Sequence, residues 1–304
     1  MHYNEIRFND QFEPGGMEMS DCLVKSLICR KQVRLLTVRN TNLVRDICDR
    51  PAIRSKLLRQ ALGETVTAAS LLAGTLKDRQ RLSLKIKVGN PAGTLFADVD
   101  ADGNVRGYPS DDLIRADPER LDAQSVERWI GDRGCIQVVK DIGMYRSQVG
   151  MTDMPHRHIA DDLSHYFRQS EQTRTAFFFH LQGRESGRPC VGLMAQALPG
   201  ADDGVMARVR GRMARLADVA QDVMREAFER LPSLLFEDAE ILDVVPVRAF
   251  CGCSQEAMLP LLYALGADEL AEAVRKNEAV RLVCNACGKN YTFGPDDLRK
   301  LTGG

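Results

Sequence analysis

Four cysteines near the C-terminus constrain this chain more than any other feature of its sequence. They form two closely spaced pairs with thirty residues between them, and the pairs are Cys251-Gly-Cys253 and Cys284-Asn-Ala-Cys287. Zn2+ binds four ligands in a tetrahedron and favours thiolate sulfur, and each short turn can present two sulfurs to one ion. The spacing therefore predicts a zinc site made of these four cysteines. Within each pair, a local disulfide is also sterically available if the metal leaves.

Such a site has two alternative roles. A structural zinc site would only hold a small domain together, whereas a redox-sensitive site would release that domain on oxidation. The final segment, residues 248–304, is short for a domain without a metal or a disulfide. Structural zinc contributes roughly 10 to 16 kcal/mol of binding free energy that is also folding free energy. We therefore expect this zinc-binding domain to unfold when its ion is lost.

Composition is that of a soluble globular protein. The chain has 304 residues, of which 44% are hydrophobic and 27% charged, and its formal net charge is -1. This balance gives no general attraction to nucleic acid or to an anionic membrane. The first twenty residues lack the basic start and apolar run of a secretory signal, and no later stretch has the roughly twenty apolar residues of a membrane span. We therefore expect a cytoplasmic protein.

The other five cysteines stand singly. An odd total of nine argues against a complete disulfide framework, and cytoplasmic thiols are mostly reduced. We interpret the five as small buried hydrophobic residues rather than as ligands or nucleophiles. They are Cys22, Cys29, Cys48, Cys135 and Cys190.

Residues 21–198 have the pattern of an α+β core domain, which follows a flexible N-terminal extension over residues 1–20. Apolar residues recur at threes and fours from about residue 52 to residue 77 and again over 159–170, which predicts two helices. Paired strands joined by turns indicate a largely antiparallel sheet with packed helices. Alternating patterns predict strands at 32–39, 82–88, 94–99, 105–108, 136–140, 145–151, 173–181 and 191–198.

Residues 199–247 are predicted to form a helical linker of marginal stability. From Met206 to Ala227, apolar or small residues alternate at spacings of three and four, which predicts a heptad seam on one helix. Alanines and methionines in that seam specify packing poorly, and Gly211 costs about 1 kcal/mol relative to alanine. The segment also has six Arg against ten Asp or Glu. The plainer interpretation is an ordinary amphipathic helix packed on the core.

The zinc-binding domain, residues 248–304, is predicted to contain helices at 257–265 and 268–276, a strand around Tyr291, and a helical turn at 296–301. Small zinc domains often bind nucleic acid. This segment has seven basic and seven acidic residues, so it lacks the basic surface that such binding requires.

Three other groups of residues are weaker candidates for function. The histidines at 156, 158 and 165 lie close in sequence but lack a nearby cysteine or carboxylate at ligand spacing, so we interpret them as surface or cap residues. Cys135 would be the nucleophile of a thiol enzyme, but no residue beside it in the sequence would activate it. Phe177-Phe178-Phe179 is typical of a buried strand rather than of an exposed protein-binding patch.

These motifs resemble those of the bacterial heat-shock protein 33 family. The cysteine spacing followed by Gly-Lys-Asn-Tyr-Thr-Phe (residues 288–293) is similar to the C-terminal domain of that family. Shorter core-domain similarities occur in the same order at 105–108, 161–167, 170–172, 192–196 and 198–199. The resemblance covers nearly the whole chain after residue 20. Gly252 departs from it, because a bulkier polar residue is expected there.

The resemblance implies a redox-regulated holdase chaperone that uses no ATP. It implies that the reduced form is inactive with one zinc ion held by Cys251, Cys253, Cys284 and Cys287. Oxidation would then form the disulfides Cys251–Cys253 and Cys284–Cys287, release zinc, unfold the zinc-binding domain and loosen the linker. Unfolding client proteins, a homodimeric oxidised form and a downstream ATP-dependent chaperone system are the implied partners. A constitutive zinc-stabilised protein-binding module and a thiol enzyme remain as alternatives.

Overall fold

The structure is a computed structural model that describes residues 20–143, 146–181, 189–219, 221–284 and 286–302. The expected N-terminal extension, apart from Ser20, lies outside these residues. None of the described helices is both long enough and apolar enough to cross a membrane.

Strands and helices of the described residues alternate irregularly along the chain, as in an α+β protein. The strands are β1 (Cys22–Ile28), β2 (Val33–Arg39), β3 (Arg81–Gly89), β4 (Ala92–Asp100), β5 (Asn104–Pro109), β6 (Cys135–Asp141), β7 (Ser147–Asp153), β8 (Thr175–His180), β9 (Val191–Ala197), β10 (Glu240–Pro246), β11 (Arg248–Ala249), β12 (Val280–Val283) and β13 (Asn290–Phe293). The helices are α1 (Thr41–Cys48), α2 (Lys56–Ala73), α3 (Asp111–Arg115), α4 (Pro118–Asp122), α5 (Val126–Ile130), α6 (Ile159–Ser170), α7 (Val205–Met213), α8 (Gln221–Glu226), α9 (Leu231–Leu235), α10 (Gln255–Tyr263), α11 (Ala267–Lys276) and α12 (Pro295–Thr302).

Two large sheets form the core. One has the strand order β10-β1-β2-β9-β8 and the other the order β11-β5-β4-β3-β6-β7. Neighbouring strands are antiparallel except for the short parallel pair of β11 and β5. The predicted α+β fold with mostly antiparallel strands is therefore confirmed, although the core strands form two sheets and not one.

Helix α2 lies between the two sheets. It contacts β3, β4 and β5 on one side and β2 and β9 on the other. Such a position requires a helix that is apolar or small on nearly every face, and all of its residues except Lys56, Arg59 and Gln60 are buried. Ser55 begins it, because its side-chain oxygen accepts a hydrogen bond from the Leu58 amide. The helix is therefore shorter than the predicted span of 52 to 77.

The linker is mostly helical, but the predicted single helix from residue 206 to 227 is wrong. Helix α7 ends at Met213, a 3-10 turn follows over Ala214–Asp218, and α8 begins only at Gln221. Several short helical segments can stay in contact with a twisted sheet, whereas one straight helix of the same length would lose contact with it. The seam position Ala220 lies outside the described residues. The last part of the linker is also not helical, since β10 pairs with β1 as an edge strand.

The C-terminal segment, residues 248–304, has the predicted elements in the predicted order. Helices α10 and α11 are separated at Gly266, whose φ of +94° favours glycine. Strands β12 and β13 form an antiparallel hairpin that the sequence analysis predicted only in its second half. The buried side chains of this segment form a separate cluster: Met258, Leu262, Leu270, Cys284, Ala286, Tyr291, Phe293 and Leu298.

Candidate metal centre

The four cysteines of the predicted zinc site lie on two chain segments that converge. Cys251 and Cys253 follow β11, and Gly252 between them has a φ of +65°, a left-handed conformation that glycine adopts without strain. Cys284 and Cys287 lie in the turn that joins β12 to β13. In that turn the amides of Cys287 and Gly288 donate to the Cys284 carbonyl, at 3.3 and 2.7 Å, so the turn holds both sulfurs on one side.

The sulfurs are close enough to share one metal ion. All four sulfur atoms lie within 4.8 Å of one another. Sulfurs of different arms approach closely, with 3.5 Å between the sulfurs of Cys251 and Cys284 and 3.3 Å between those of Cys253 and Cys287. A tetrahedron with zinc–sulfur bonds of about 2.3 Å has edges of roughly 3.8 Å. The donor set therefore fits a tetrahedral zinc ion.

The thiols of the cluster differ in acidity. Burial works to raise the pKa of Cys253, but hydrogen bonds from Tyr291 and from the neighbouring thiols lower it to about 7. Burial and hydrogen bonds with the other thiols raise the pKa of Cys251, and burial raises that of Cys287. Four negative sulfurs at these distances repel one another, so a divalent cation is needed to hold all of them as thiolates.

Tyr291 is a polar neighbour of the cluster that the sequence analysis placed on a strand without a role. Its hydroxyl donates a hydrogen bond of 2.9 Å to the Cys253 sulfur, and the Lys289 ammonium lies 5.2 Å from its ring centroid. Such hydrogen bonds orient metal ligands and stabilise negative sulfur. The alternation of β13 could have suggested this contact, because it turns Tyr291 and Phe293 toward the same buried face.

The cluster lies against the core domain. Strand β11 pairs with β5, and the Phe250 amide donates to the Val105 carbonyl at 2.9 Å immediately before Cys251. Tyr108 of β5 packs on the apolar cluster of the C-terminal segment, residues 248–304. From the core side, Arg50 donates hydrogen bonds to the carbonyls of Gly107 and Ala286. The cysteine arms are thus tied to the core at several points.

Comparisons with known proteins agree with this arrangement. The Hsp33 protein family matches residues 21–294 of the chain.

The chain belongs to the Hsp33 family.

One curated relative is the 33 kDa chaperonin of Bacillus cereus strain B4264, which is 29% identical over an alignment that covers 93% of this chain and 99% of the relative. Another is the 33 kDa chaperonin of Bacillus subtilis strain 168, which is also 29% identical over an alignment that covers 92% of this chain and 98% of the relative. A solved 33 kDa chaperonin from Thermotoga maritima superposes with a TM-score of 0.76 at 22% identity and covers 94% of this chain and 98% of its own. The Hsp33 family consists of chaperones rather than enzymes, and the resemblance stated from the motifs is confirmed.

The other sequence candidates remain apart from the centre. Among the described residues, the only group of His, Cys, Asp and Glu close enough to hold a metal ion is the four-cysteine cluster. The rings of His156 and His165 are 6.0 Å apart and belong to a different part of the fold from that cluster. Burial raises the pKa of Cys135, which disfavours the thiolate that a nucleophilic cysteine would need. Cys22 and Cys48 are buried as predicted, whereas Cys29, Cys135 and Cys190 are only partly buried.

Proposed function

We propose that this chain is a redox-regulated, ATP-independent holdase whose reduced, zinc-bound form is inactive. The observation that carries the proposal is the convergence of four cysteine sulfurs, from two arms of the zinc-binding domain, within 4.8 Å of one another. When bound, a zinc ion would keep the four sulfurs as thiolates and join the two arms. Cys251, Cys253, Cys284 and Cys287 are the proposed ligands, and residues 248–304 are the proposed switch domain.

Oxidation changes what these sulfurs can hold. Two thiolates of one pair give two electrons to one peroxide molecule, which takes up two protons and becomes two water molecules while a disulfide bond forms. Two peroxide molecules therefore oxidise the two pairs. Each disulfide sulfur has lost the negative charge that metal binding requires. The proposed pairs are Cys251–Cys253 and Cys284–Cys287.

The choice of pairs decides whether oxidation opens the domain. A disulfide within each arm leaves the two arms unconnected, so a small apolar cluster must then hold the domain alone. Disulfides between the arms would replace the metal by covalent bonds and keep the domain closed. Sulfurs of different arms lie as close as 3.3 and 3.5 Å, so the within-arm pairing must compete with disulfides between the arms. Peptide mapping of the oxidised protein tests this pairing.

The proposed consequence of opening is release of the linker, residues 199–247. In the structure its apolar side chains pack on strands β1, β2, β9 and β8 of the core domain, residues 21–198. The linker continues through β10 into β11 and the first cysteine arm, so it loses its C-terminal anchor when the switch domain unfolds. Its buried side chains and the sheet beneath them would then be available to unfolding proteins. The buried linker residues of this interface are Val205, Met206, Val209, Met213, Leu216, Met224, Phe228, Leu231, Leu235 and Phe236.

Further proposals follow the resemblance to the family. The oxidised form is proposed to be a homodimer that binds unfolding clients in the cytoplasm under oxidative stress, and to pass them to an ATP-dependent chaperone system.

A constitutive zinc-stabilised binding module is the second candidate. It is favoured by exposed apolar side chains that the closed zinc-binding domain already presents, at Phe250, Leu261 and Tyr263. Such a module would bind proteins without oxidation.

Suppression of the thermal aggregation of citrate synthase separates the two candidates. We expect suppression by peroxide-treated protein and none by the reduced, zinc-loaded protein. Cys135→Ser, which changes a thiol outside the cluster, is the matched control and should behave as the unmodified chain. Equal suppression by the reduced and the oxidised protein would favour the constitutive module and refute redox gating.

A further inference from the structure

Arg50 of the core domain reaches the metal centre. It follows α1 and is partly buried, and one nitrogen of its guanidinium, Nη1, donates to two carbonyls that belong to different domains. One acceptor is Gly107 of β5, at 3.1 Å. The other is Ala286, which lies between Cys284 and Cys287 in the metal-binding turn. A single core cation therefore connects the central sheet to the cysteine arm.

The surroundings of Arg50 make the stability of its buried charge depend on the cluster. Burial lowers the pKa of Arg50, and the neighbouring thiols of Cys287, Cys48, Cys251 and Cys284 work to raise it. Four thiolates and one divalent ion together carry a net charge of about -2. That charge stabilises a partly buried cation more than it would stabilise a cation at the exposed surface, because water screens the attraction less at the partly buried position. Arg50 thus has a favourable partner in the reduced, metal-bound state.

Oxidation removes that partner. Two disulfides are neutral, so the charge next to Arg50 falls from about -2 to zero when the four sulfurs are oxidised. The Ala286 carbonyl lies inside the short loop that a Cys284–Cys287 disulfide closes. Formation of that disulfide therefore shifts the carbonyl that accepts the hydrogen bond from Arg50. A guanidinium that stays partly buried without a negative partner is costly. The free energy is lowest when the Arg50 side chain becomes exposed to solvent and the two domains separate.

We propose that Arg50 is an electrostatic latch that docks the reduced switch domain on the core domain and releases it when the cluster loses its negative charge. The proposal rests on the proposed function, since it names how oxidation is transmitted to the domain interface. It also gives the core domain an active part in the switch. Arg50 acts through the turn that holds Cys284 and Cys287 and is a positioning residue rather than a ligand.

The test is hydrogen exchange at the interface between the domains. The amides of Arg248 and Phe250 donate to the carbonyls of Gly103 and Val105 across β11 and β5, so their exchange rates report docking directly. In the reduced, zinc-loaded protein, we expect Arg50→Met to speed exchange at both amides about tenfold, because it removes charge-assisted hydrogen bonds. Arg50→Lys keeps the charge and should show a smaller increase. Arg54→Met, at an exposed position in the same loop, should leave both rates unchanged.

Oxidation provides the second arm of the experiment. After peroxide treatment, we expect the unmodified protein and Arg50→Met to exchange at the same fast rate, because the latch is already open. Equal rates in the two reduced proteins would overturn the proposal. It would also be overturned if the difference between them persisted unchanged after oxidation. These readouts do not involve client binding, so a failure of holdase activity with an intact latch would count against the proposed function alone.

Discussion

Phe228 offers a direct way to weaken the linker without touching the metal centre. It belongs to a 3-10 turn between α8 and α9, is 2% exposed, and packs in the apolar cluster between the linker and the five-stranded sheet. The guanidinium of Arg39, on β2, lies 5.4 Å from its ring centroid. The same guanidinium donates to the carbonyls of Met224 and Arg225 in α8, so ring and helix share one anchor on the core.

The expected cost of Phe228→Ala follows from these contacts. Truncating a buried phenylalanine to alanine typically costs 3 to 5 kcal/mol, and a cation–π contact of a desolvated arginine adds roughly 0.5 to 2 kcal/mol. We take about 4 kcal/mol for the linker–core interface, which corresponds to a change of roughly 1,000-fold in the docking equilibrium. A linker of marginal stability would then be largely undocked in the reduced state.

Limited proteolysis of residues 199–239 and the citrate synthase aggregation assay measure this effect, both on reduced, zinc-loaded protein. Phe228→Ala should be cleaved faster in the linker and should suppress aggregation without oxidant, with its zinc content unchanged. Leu234→Ala, which removes a side chain that is 58% exposed in the neighbouring α9, should change stability by less than about 0.5 kcal/mol and stay inactive. The reasoning is refuted if Phe228→Ala is as protease-resistant and as inactive as the unmodified protein.

Three further changes test other parts of the structure. Gly103→Ala should speed hydrogen exchange in β11, because a Cβ at residue 103 would come 2.2 Å from the Pro246 carbonyl oxygen. Gly131 also has a positive φ, but a Cβ at residue 131 would meet no atom of the described residues within 4 Å, so Gly131→Ala should leave exchange in β11 unaffected. Cys284→Ser should lower zinc affinity by at least about 100-fold, since four ligands share roughly 10 to 16 kcal/mol, and stoichiometric zinc in this variant would contradict the four-ligand site. Burial raises the pKa of Asp21 from 3.8 to about 6. Urea denaturation should therefore show that the unmodified protein loses up to about 3 kcal/mol of unfolding free energy relative to Asp21→Asn as pH rises from 4 to 7. Equal pH dependence of the two proteins would argue against a raised pKa at Asp21.

Local patterns were sufficient to predict much of the core. Leu82, Leu84, Ile86 and Val88 alternate with polar residues, and β3 buries these four side chains as expected. The helix over residues 159–170 was predicted at its observed bounds, because its apolar period and its ends are both local features. Such elements depend on neighbours in the sequence, which is what periodicity reports.

The linker could not be predicted in the same way. Its heptad spacing is compatible with one helix, but the chain must follow a twisted sheet, and that requirement comes from strands far away in sequence. Strand β10 has exposed apolar side chains at Ile241 and Leu242, and its strand conformation comes from pairing with β1, more than 200 residues earlier. Long-range pairing of this kind is absent from any local pattern.

At the metal centre, the spacing of the cysteines predicted which residues converge, because each pair is a local chelating turn. The neighbours of the cluster could not be obtained from spacing. Arg50 is separated from the nearest cluster cysteine by about 200 residues, and Arg39 reaches the linker from β2 in the same manner. Both arginines hydrogen-bond to residues far away in sequence, and no local motif marks them.

The most direct test of the account is the zinc content and the number of free thiols per chain, measured on the same sample before and after peroxide and together with holdase activity. The account predicts one zinc ion and nine free thiols in the inactive reduced protein. It predicts no bound zinc and five free thiols in the active oxidised protein, with both disulfides in the C-terminal domain. A reduced protein that binds no zinc, or a fully active protein that retains its zinc, would contradict it.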